Sequence, residues 1–517
     1  MKHKFLLLFS VLHFWESTAL GQNLEFYVSV DGSDSWDGTS ESNIDGSDVG
    51  PWQTLNHAFD ELRQIRPNPP TAETHATIFL LPGSHFLTST IQADGRDSHL
   101  TIKSLYEDEN VAVSGGLLLN GEWSEEDGGI RTTTFQGPCG EGYIRDHRLV
   151  PARSPNLIDF GPNTNMIQAP YNIIKGLLLE TEDCIRDTTA KGQDCPYEDR
   201  LGFVFEDEFS ADWSFLEQTK VLIYHAGKAE LQAIGNITEE NGEKKVFFAS
   251  PLDEAPIGDK PASSGWRFLI FNNKALLDTQ GEYVCIELED GITSQFSYIP
   301  PDGTEDMAVV VTQLNPLINF DSVTDLHLEG IIFKHSSGGY IDGDTGGWNK
   351  AAIRILHSQN VVITDCKFTQ TGTTALWGTD SSNVRVTKSV FTDVGYHGVQ
   401  FHYIPDDGEL EGQTDVSIDN NLFDGCGMSM WWQPACVRVG GYMNISVKNN
   451  EITNVPYNGI RIYGLMPHGS TFWDDNGVVE PTNGDYVYHT EFNYIHDTGL
   501  GILNDMGAIY LSKLCEL

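Results

Sequence analysis

Apolar and polar residues recur at a fixed spacing along the C-terminal half of the chain. In five segments an apolar anchor lies eight residues after an Asn or Asp, and the pairs are Asp325 and Phe333, Asn360 and Phe368, Asn383 and Phe391, Asp415 and Phe423, and Asn444 and Ile452. A weaker sixth copy runs from Val487 to Ile495. Apolar residues alternate with polar ones inside each segment, which is the pattern of a strand with one buried face.

Turn-forming and amide residues hold constant positions relative to these anchors. A Gly or Pro follows each later anchor by four residues, at Gly372, Gly395, Gly427, Pro456 and Gly499. The last three copies carry an Asn two residues before the anchor, at Asn421, Asn450 and Asn493. Short strands in register between fixed turns predict the coils of a right-handed parallel β-helix, with stacked apolar columns and Asn ladders inside it. The chain lacks a leucine-rich-repeat consensus, and a β-sandwich does not need one repeated offset.

The unequal spacing of the anchors predicts loops at 403–414, 428–440 and 464–484, where function is expected. Strands at Phe26–Ser29, Ala76–Leu81 and Leu100–Ser104 precede them, and a helix from Trp52 to about Arg66 is expected to cap the solenoid end. The pattern breaks between 120 and 310. We therefore predict an all-β chain in four parts: a signal peptide (1–21), a cap with the first coils (22–120), an inserted β-rich domain (121–310), and the main β-helix (311–517).

The N-terminus predicts export. Lys2 and Lys4 precede an apolar run that is too short for a membrane span, and cleavage is expected near Gln22. Asn236 and Asn444 open N-glycosylation triplets, which fit a secreted, extracellular protein.

Eight cysteines in an exported chain predict disulfides, and the closest pairs along the sequence are Cys184 with Cys195 and Cys426 with Cys436. The chain has no C-x-x-C pair, so a zinc ribbon is not expected.

The charge narrows the expected partners. With 31 Lys and Arg against 74 Asp and Glu, the net charge of −43 repels nucleic acid and anionic membranes. No cofactor is expected, but the acidic loop containing Asp406, Asp407, Glu409 and Glu411 leaves Ca²⁺ as an alternative to a plain solvated loop. The Asp31–Asp34–Asp37 segment faintly resembles a calcium loop but lacks the Glu expected at its twelfth position, which is Ser42.

Several segments resemble a known family. The opening FYVSVDGSDSWDGT and PWQTLNHAFDEL is similar to secreted β-helix proteins related to pectate lyases. RLVPARSPN, ALLDTQGEYVCIE, LHLEGIIFKHSS and YIHDTGLGILNDMGAIY resemble β-helix glycoside hydrolases that include α-L-fucosidase and xylanase activities. The resemblance covers about residues 24–510 and implies a carbohydrate substrate cleaved by paired carboxylates.

Glycoside cleavage needs one carboxylic acid for the leaving oxygen and a second carboxylate as nucleophile or base. The DMG motif of the resemblance makes Asp505 the first candidate, with a turn-capping Asp as the alternative. Asp475 or Asp474 is the candidate partner, unless both are solvated loop acids. Trp473 beside them is expected either to stack on a sugar or to fix the loop.

Three further residues are candidates for the same site. Asp505 lies ten residues after Ile495, as Ile462 lies after Ile452, which predicts Arg461 and Tyr463 one coil away as substrate-binding residues. A salt bridge is the alternative for Arg461. His397 is assigned to the catalytic group, to bind a hydroxyl or tune a carboxylate, with a structural histidine as the alternative.

Three functions remain open from the sequence. The first is a retaining or inverting hydrolase acting, as a monomer, on a neutral glycan. The second is a polysaccharide lyase, and the third is a non-catalytic carbohydrate-binding or matrix protein, because the fold hosts all three. Relatives are expected to continue for further coils beyond the DMG strand, so truncation at Leu517 is a further expectation.

Overall fold

A computed structural model of the chain shows a long parallel β-helix that carries an inserted β domain. The residues described are 24–107, 110–145, 147–156, 172–173, 176–179, 200–205, 216–224, 229–240, 243–250, 267–304, 307–338, 350–402, 415–429, 434–440, 444–463, 472–474, 477–479, 487–499 and 507–512. The expected signal peptide lies outside them. None of the helices within these ranges is long and apolar enough to cross a bilayer.

Three parallel sheets, here called A, B and C in the order the chain visits them, form the solenoid. Within the described residues, the strands of sheet A are Leu24–Val28, Ala76–Leu80, Leu100–Ser104, Thr324–Glu329, Gln359–Thr364, Ser382–Thr387, Val416–Asp419, Asn444–Lys448 and Val487–Glu491. Those of sheet B are Gly83–Phe86, Val111–Ser114, Ile332–Lys334, Lys367–Thr371, Val390–Val394, Leu422–Cys426, Glu451–Thr453 and Tyr494–Ile495. Those of sheet C are Ile91–Ala93, Ile318–Asp321, Ala351–Leu356, Thr374–Thr379, Val399–His402, Ala435–Gly440, Asn458–Tyr463 and Ile509–Ser512. The predicted fold class is confirmed.

The eight-residue offset spans one sheet-A strand, a two-residue turn and the start of a sheet-B strand. The Asn or Asp at its start adopts positive φ, at Asp325, Asn360, Asn383 and Asp415, a conformation that Asn and Asp tolerate better than other side chains. The anchors form one inward column in which Phe333, Phe368, Phe391 and Phe423 stack with ring centroids 5.1, 4.9 and 4.6 Å apart.

The predicted Asn ladder lies at the turns between sheets A and B. Oδ1 of Asn450 accepts from the Asn421 backbone N–H and from its Nδ2, both at 3.0 Å. Nδ2 of Asn450 donates to the Ile418 carbonyl oxygen, and Asn493 repeats the pattern one coil further. Each side chain therefore replaces backbone partners that the turn cannot supply.

Helix α1 (Leu55–Ile65) covers the N-terminal end of the solenoid, as predicted. Leu55, Ala58, Phe59 and Leu62 form its buried face, and the Thr54 hydroxyl caps it by accepting from the His57 N–H. Asp34 accepts from the N–H groups of Gln53 and Thr54, so the segment that resembles a calcium loop uses this carboxylate to fix the start of the helix. Short 3₁₀ helices occur at Ala72–Thr74, Gly95–Asp97, Asp127–Gly129, Leu216–Gln218 and Lys274–Leu276.

The inserted domain leaves between a sheet-B strand and a sheet-C strand, and its described strands extend from Gly116 to Thr312. One sheet contains His147–Arg148, Gly142–Ile144, Val309–Thr312 and Gly116–Leu118. A second contains Val150–Pro151, Glu282–Glu287, Thr293–Tyr298, Ile130–Gln136 and Ser124–Glu126. A third contains Arg153–Ser154, Asn172–Ile173, Arg267–Phe271, Lys220–Tyr224, Ala229–Glu240, Glu243–Phe248, Arg200–Phe205 and Gly176–Leu179. The coils on either side of the insertion stack directly, because Leu100–Ser104 pairs with Thr324–Glu329.

A buried polar contact joins the inserted domain to the solenoid. Arg148 Nε donates to Asp393 Oδ1 at 2.9 Å, and Arg148 Nη2 donates to the Thr371 carbonyl oxygen at 2.7 Å. The guanidinium also lies over the Tyr143 ring, 4.9 Å from its centroid. Asp393 and Thr371 belong to the ends of sheet-B strands, so the domain docks beside the turns that lead into sheet C.

Two sequence predictions in this region need correction. The segment 428–440 is only partly a loop, because Ala435–Gly440 is a strand of sheet C. The disulfide predicted between Cys426 and Cys436 is not formed: both are buried free thiols whose sulfur atoms are hydrogen-bonded neighbours. The observed disulfide joins Cys139 to Cys285 within the inserted domain, and Cys184 and Cys195 lie outside the described residues.

Candidate functional site

Beyond the inserted domain, the long connections of the solenoid flank sheet C. Two residues separate each sheet-A strand from the following sheet-B strand from Glu329 onwards. The longer connections, 335–350, 403–415, 464–486 and 496–508, all enter or leave a sheet-C strand, and so does the inserted domain. Insertions that map to one face of a solenoid identify its binding face, so the outer face of sheet C is the candidate floor of a cleft.

One outward column runs along this floor. Register pairs Arg354 with Trp377, Trp377 with Gln400, Gln400 with Arg438, Arg438 with Arg461, and Arg461 with Tyr510. Their neighbours on the same strands, such as Ile353 and Ile355, point into the core, so the column faces outward. At about 4.8 Å per strand, six residues span about 24 Å.

The middle of this column is recessed. Gln400, Arg438 and Arg461 are only 1%, 3% and 7% exposed, although they lie on the outer face of a sheet. On the outer face of sheet A, by contrast, the Arg385 side chain is 56% exposed. The middle of the sheet-C face is therefore more shielded from solvent than the corresponding face of sheet A.

Arginine and aromatic side chains pair in the column. The Arg354 guanidinium lies 5.2 Å from the Trp377 ring centroid, and that of Arg461 lies 5.3 Å from Tyr510. These contacts hold planar groups against each other, as in sugar-binding platforms, where rings and cations lie side by side.

His397 lies beneath this floor and is fully buried. Its Nε2 accepts from Arg438 Nη1 at 3.2 Å, and its Nδ1 contacts the Ala435 backbone. Burial, with the charges of Arg438 and Arg461, holds the pKa of His397 well below its usual value. The predicted catalytic contact with substrate is therefore corrected: the ring is sealed from solvent and stays uncharged, so it does not exchange protons with a sugar at ordinary pH.

The register gives Arg461 a described neighbour in the last coil, while its predicted proximity to Asp505, which lies outside the described residues, stays a prediction. The ten-residue count placed it beside Asp505, but Arg461 pairs in register with Tyr510, and Tyr463 with Ser512. The connection before the last strand is longer than in the previous coil, so equal counting fails there. Nearby, the Gly507 N–H donates to Asn458 Oδ1 at 3.0 Å.

The side chains of the candidate carboxylates lie outside the part of the chain that the structure describes. Asp505 and Asp475 lie outside the described residues, as does the acidic loop at 406–411. Trp473 and Asp474 are described as backbone only, in a hairpin that pairs Phe472–Asp474 with Gly477–Val479 inside the predicted 464–484 loop. Their catalytic and binding roles stay predictions. Among the described residues, no group of three His, Cys, Asp or Glu side chains is placed to hold a metal ion.

A groove lies on the outer face of sheet A. It encloses about 290 Å³ and is lined by polar groups that include Arg385, Asp415, Asp419, Asn444 and His489. Asn444 donates to Asp415 Oδ1 at 2.8 Å and is exposed, as is Asn236, so both predicted glycosylation acceptors are accessible.

Comparisons with known proteins agree with this architecture. Residues 318–472 match the family described as "Right handed beta helix region". The chain is a right-handed parallel β-helix protein. Over the whole fold this β-helix is similar to a solved glycoside hydrolase, with a TM-score of 0.67 at 16% sequence identity, covering 94% of this chain and 85% of that one.

A second solved structure, of XylC in complex with xylose, has a TM-score of 0.42 at 11% identity and covers 85% of this chain and 60% of that one. No curated protein matches the sequence. At these identities the likeness to the glycoside hydrolase establishes the fold of the chain.

Proposed function

We propose that this protein is an exported glycoside hydrolase that binds a poly- or oligosaccharide along the outer face of sheet C. The observation that carries the proposal is the recessed column from Arg354 to Tyr510, which combines two aromatic rings with hydrogen-bonding cations. The similarity of the whole fold to a glycoside hydrolase supports the same reading. The sequence supplies the proposed acids, Asp505 with Asp474 or Asp475.

The cleft proposal is tested by measuring sugar release from fucosylated and xylose-based neutral glycans. Trp377→Ala removes a stacking surface and the cation–π contact with Arg354, so KM should rise about tenfold. Arg385→Ala, on the exposed outer face of sheet A, is the matched control and should leave both kinetic constants unchanged. An equal loss in both variants would remove sheet C as the site.

The catalytic assignment needs its own variant. Asp505→Asn removes the proposed acid or nucleophile while keeping its size, so kcat should fall by about 10²-fold or more. Thermal unfolding of the same variant separates lost chemistry from lost structure. If Asp505→Asn released sugar as fast as the wild type, Asp505 would not be the catalytic acid or nucleophile. If the wild type released sugar from none of the glycans, the hydrolase proposal would be excluded.

A polysaccharide lyase is the second candidate, favoured by Arg354, Arg438 and Arg461 on one face. A lyase needs cations near a uronate carboxylate. The sequence shows no basic cluster, but the register of sheet C places these three arginines in one column. Incubation with uronate polymers distinguishes the two reactions, because elimination leaves an ultraviolet-absorbing unsaturated sugar and hydrolysis does not.

A further inference from the structure

The proposal concerns His397, the buried group beneath the proposed cleft. Arginine has only N–H donors, so the 3.2 Å contact from Arg438 Nη1 requires a lone pair on His397 Nε2. The proton of the neutral ring must then lie on Nδ1, where it donates to the Ala435 carbonyl oxygen at 3.2 Å. The Ala435 N–H also lies 3.0 Å from Nδ1, so Ala435 and Arg438 compete for the one lone pair of the neutral ring, and the tautomer shows which of them donates to it.

The surroundings keep this ring in place. The Ala375 and Leu376 N–H groups donate to the carbonyl oxygens of His397 and Gly398 at 2.9 and 3.1 Å. A Cβ at Gly398 would lie 2.6 Å from the Cys436 carbonyl oxygen, so the turn packs directly onto the next strand. His397 also contacts the Tyr396 ring, with centroids 3.8 Å apart.

The positive charges of Arg438 and Arg461 explain why an uncharged imidazole suits the position of His397. Arg438 and Arg461 are adjacent in register and both are nearly buried, so a further positive charge beside them would be unfavourable. An uncharged acceptor fixes the direction of one guanidinium without adding a third cation. A protonated imidazole would add a third positive charge and could not accept a hydrogen bond from Arg438.

We propose that His397 is a positioning residue that, as an uncharged hydrogen-bond acceptor, orients the Arg438 guanidinium beside Arg461 on the floor of the cleft. Its importance for sugar cleavage rests on the proposed function, whereas its tautomer and its contact with Arg438 do not. The role differs from acid–base catalysis, because His397 is needed without gaining or losing a proton.

The first test uses the unliganded protein with ¹⁵N-labelled histidine, and the His397 signals are assigned by their loss in His397→Gln. We expect a neutral ring with its proton on Nδ1 throughout about pH 5 to about pH 8. Arg438→Met should raise the fraction of the Nε2-protonated tautomer, and Arg354→Met, three strands away in the same column, should leave it unchanged. Titration in this range, or a proton on Nε2 in the wild type, would overturn the proposal.

The second test uses the wild type's best glycan substrate and two isosteric variants. His397→Gln can place an oxygen acceptor near the position of Nε2, whereas His397→Asn places one near Nδ1 only. We expect the Gln variant to keep kcat/KM within about threefold and the Asn variant to lose about tenfold or more, with an unchanged pH profile for both. Loss of one limb of the pH profile in the Gln variant would show that His397 titrates in catalysis and would refute positioning.

The two tests separate the two proposals. If no glycan is cleaved, the hydrolase proposal fails and the tautomer measurement still decides the role of His397 toward Arg438. If sugar is released but both variants match the wild type, the positioning role fails and the hydrolase stands.

Discussion

At the scale of single residues, burial sets the chemistry of the histidines. His335 is nearly buried between the solenoid and the inserted domain, where Ser114 Oγ lies 2.9 Å from its Nδ1 and the Tyr143 ring centroid lies 5.1 Å from its own. Burial lowers the pKa of His335 to about 3. This ring and that of His397 therefore remain neutral in the native state.

We predict that His335 makes the fold sensitive to acid. The unfolded chain binds a proton at this site below about pH 6.5, whereas the folded chain does so only near pH 3, so stability falls as the pH is lowered between the two. His335→Gln should flatten the dependence by about 1.4 kcal/mol per pH unit in that window, measured by chemical denaturation at about pH 6.5 and 4.5. Above about pH 7.5, where this ring is neutral in both the folded and the unfolded chain, the variant should keep the wild-type slope, which is the internal control. An unchanged slope of the His335 variant in the acidic window would contradict the prediction.

At the scale of the coil, two kinds of Asn ladder use the same residue in different environments. Asn450 is 1% exposed and bonds both neighbouring coils through its side chain. Asn444 is exposed and donates to Asp415 on the surface. Only the inner ladder replaces backbone partners that water cannot reach.

The ladders predict unequal costs of substitution. Asn450→Ala leaves the Asn421 N–H and the Ile418 carbonyl oxygen without their side-chain partner and should lower the free energy of unfolding by about 2–4 kcal/mol. Asn444→Ala, in protein made without glycans, should cost less than about 1 kcal/mol. Chemical denaturation of both variants measures the difference, and equal losses would mean that the inner ladder adds nothing beyond the outer one.

The coil also shows what the sequence could predict. Sheets A and B follow from the eight-residue offset because their turn has a constant length. Its first residue has positive φ and is Gly, Asp or Asn in most coils, as at Gly330 and Asn420, with Lys388 and Phe492 as exceptions. Sheet C was largely missed because connections of variable length precede and follow its strands. For the same reason counting along the chain paired Arg461 with the Asp505 segment, and only the register reveals Tyr510 beside it.

At the scale of the whole molecule, the inserted domain and the long connections that follow it all adjoin sheet C. Arg354, Arg438 and Arg461 are 84 and 23 residues apart, so their common face is invisible without the coil register. The inserted domain contributes through the turns that lead into sheet C. Arg148 holds Asp393, and the chain continues from Val394 through a four-residue connection that contains His397 into the sheet-C strand Val399–His402.

This docking contact yields a prediction for the assembled molecule. Arg148 and Asp393 are an ion pair with side chains only 4% and 10% exposed, and removing one partner leaves the other charge buried. Arg148→Met and Asp393→Asn should each destabilise the docked domain by about 3–5 kcal/mol, and the double variant should lose less than the sum. The pair of Arg385 with Asp419 is the control, because the Arg385 side chain is 56% exposed and Arg385→Ala should cost less than about 1 kcal/mol.

Hydrogen exchange distinguishes docking from general stability. If Arg148 and Asp393 hold the two parts together, exchange in Arg148→Met should rise first at Gly142–Ile144 and in the sheet-B strand ends near Thr371, while the Phe368–Phe391 stack stays protected. Losses that add fully in the double variant would show that the two charges act independently. The domain would then dock through its apolar contacts, and the path from Arg148 to the cleft floor would carry no coupling.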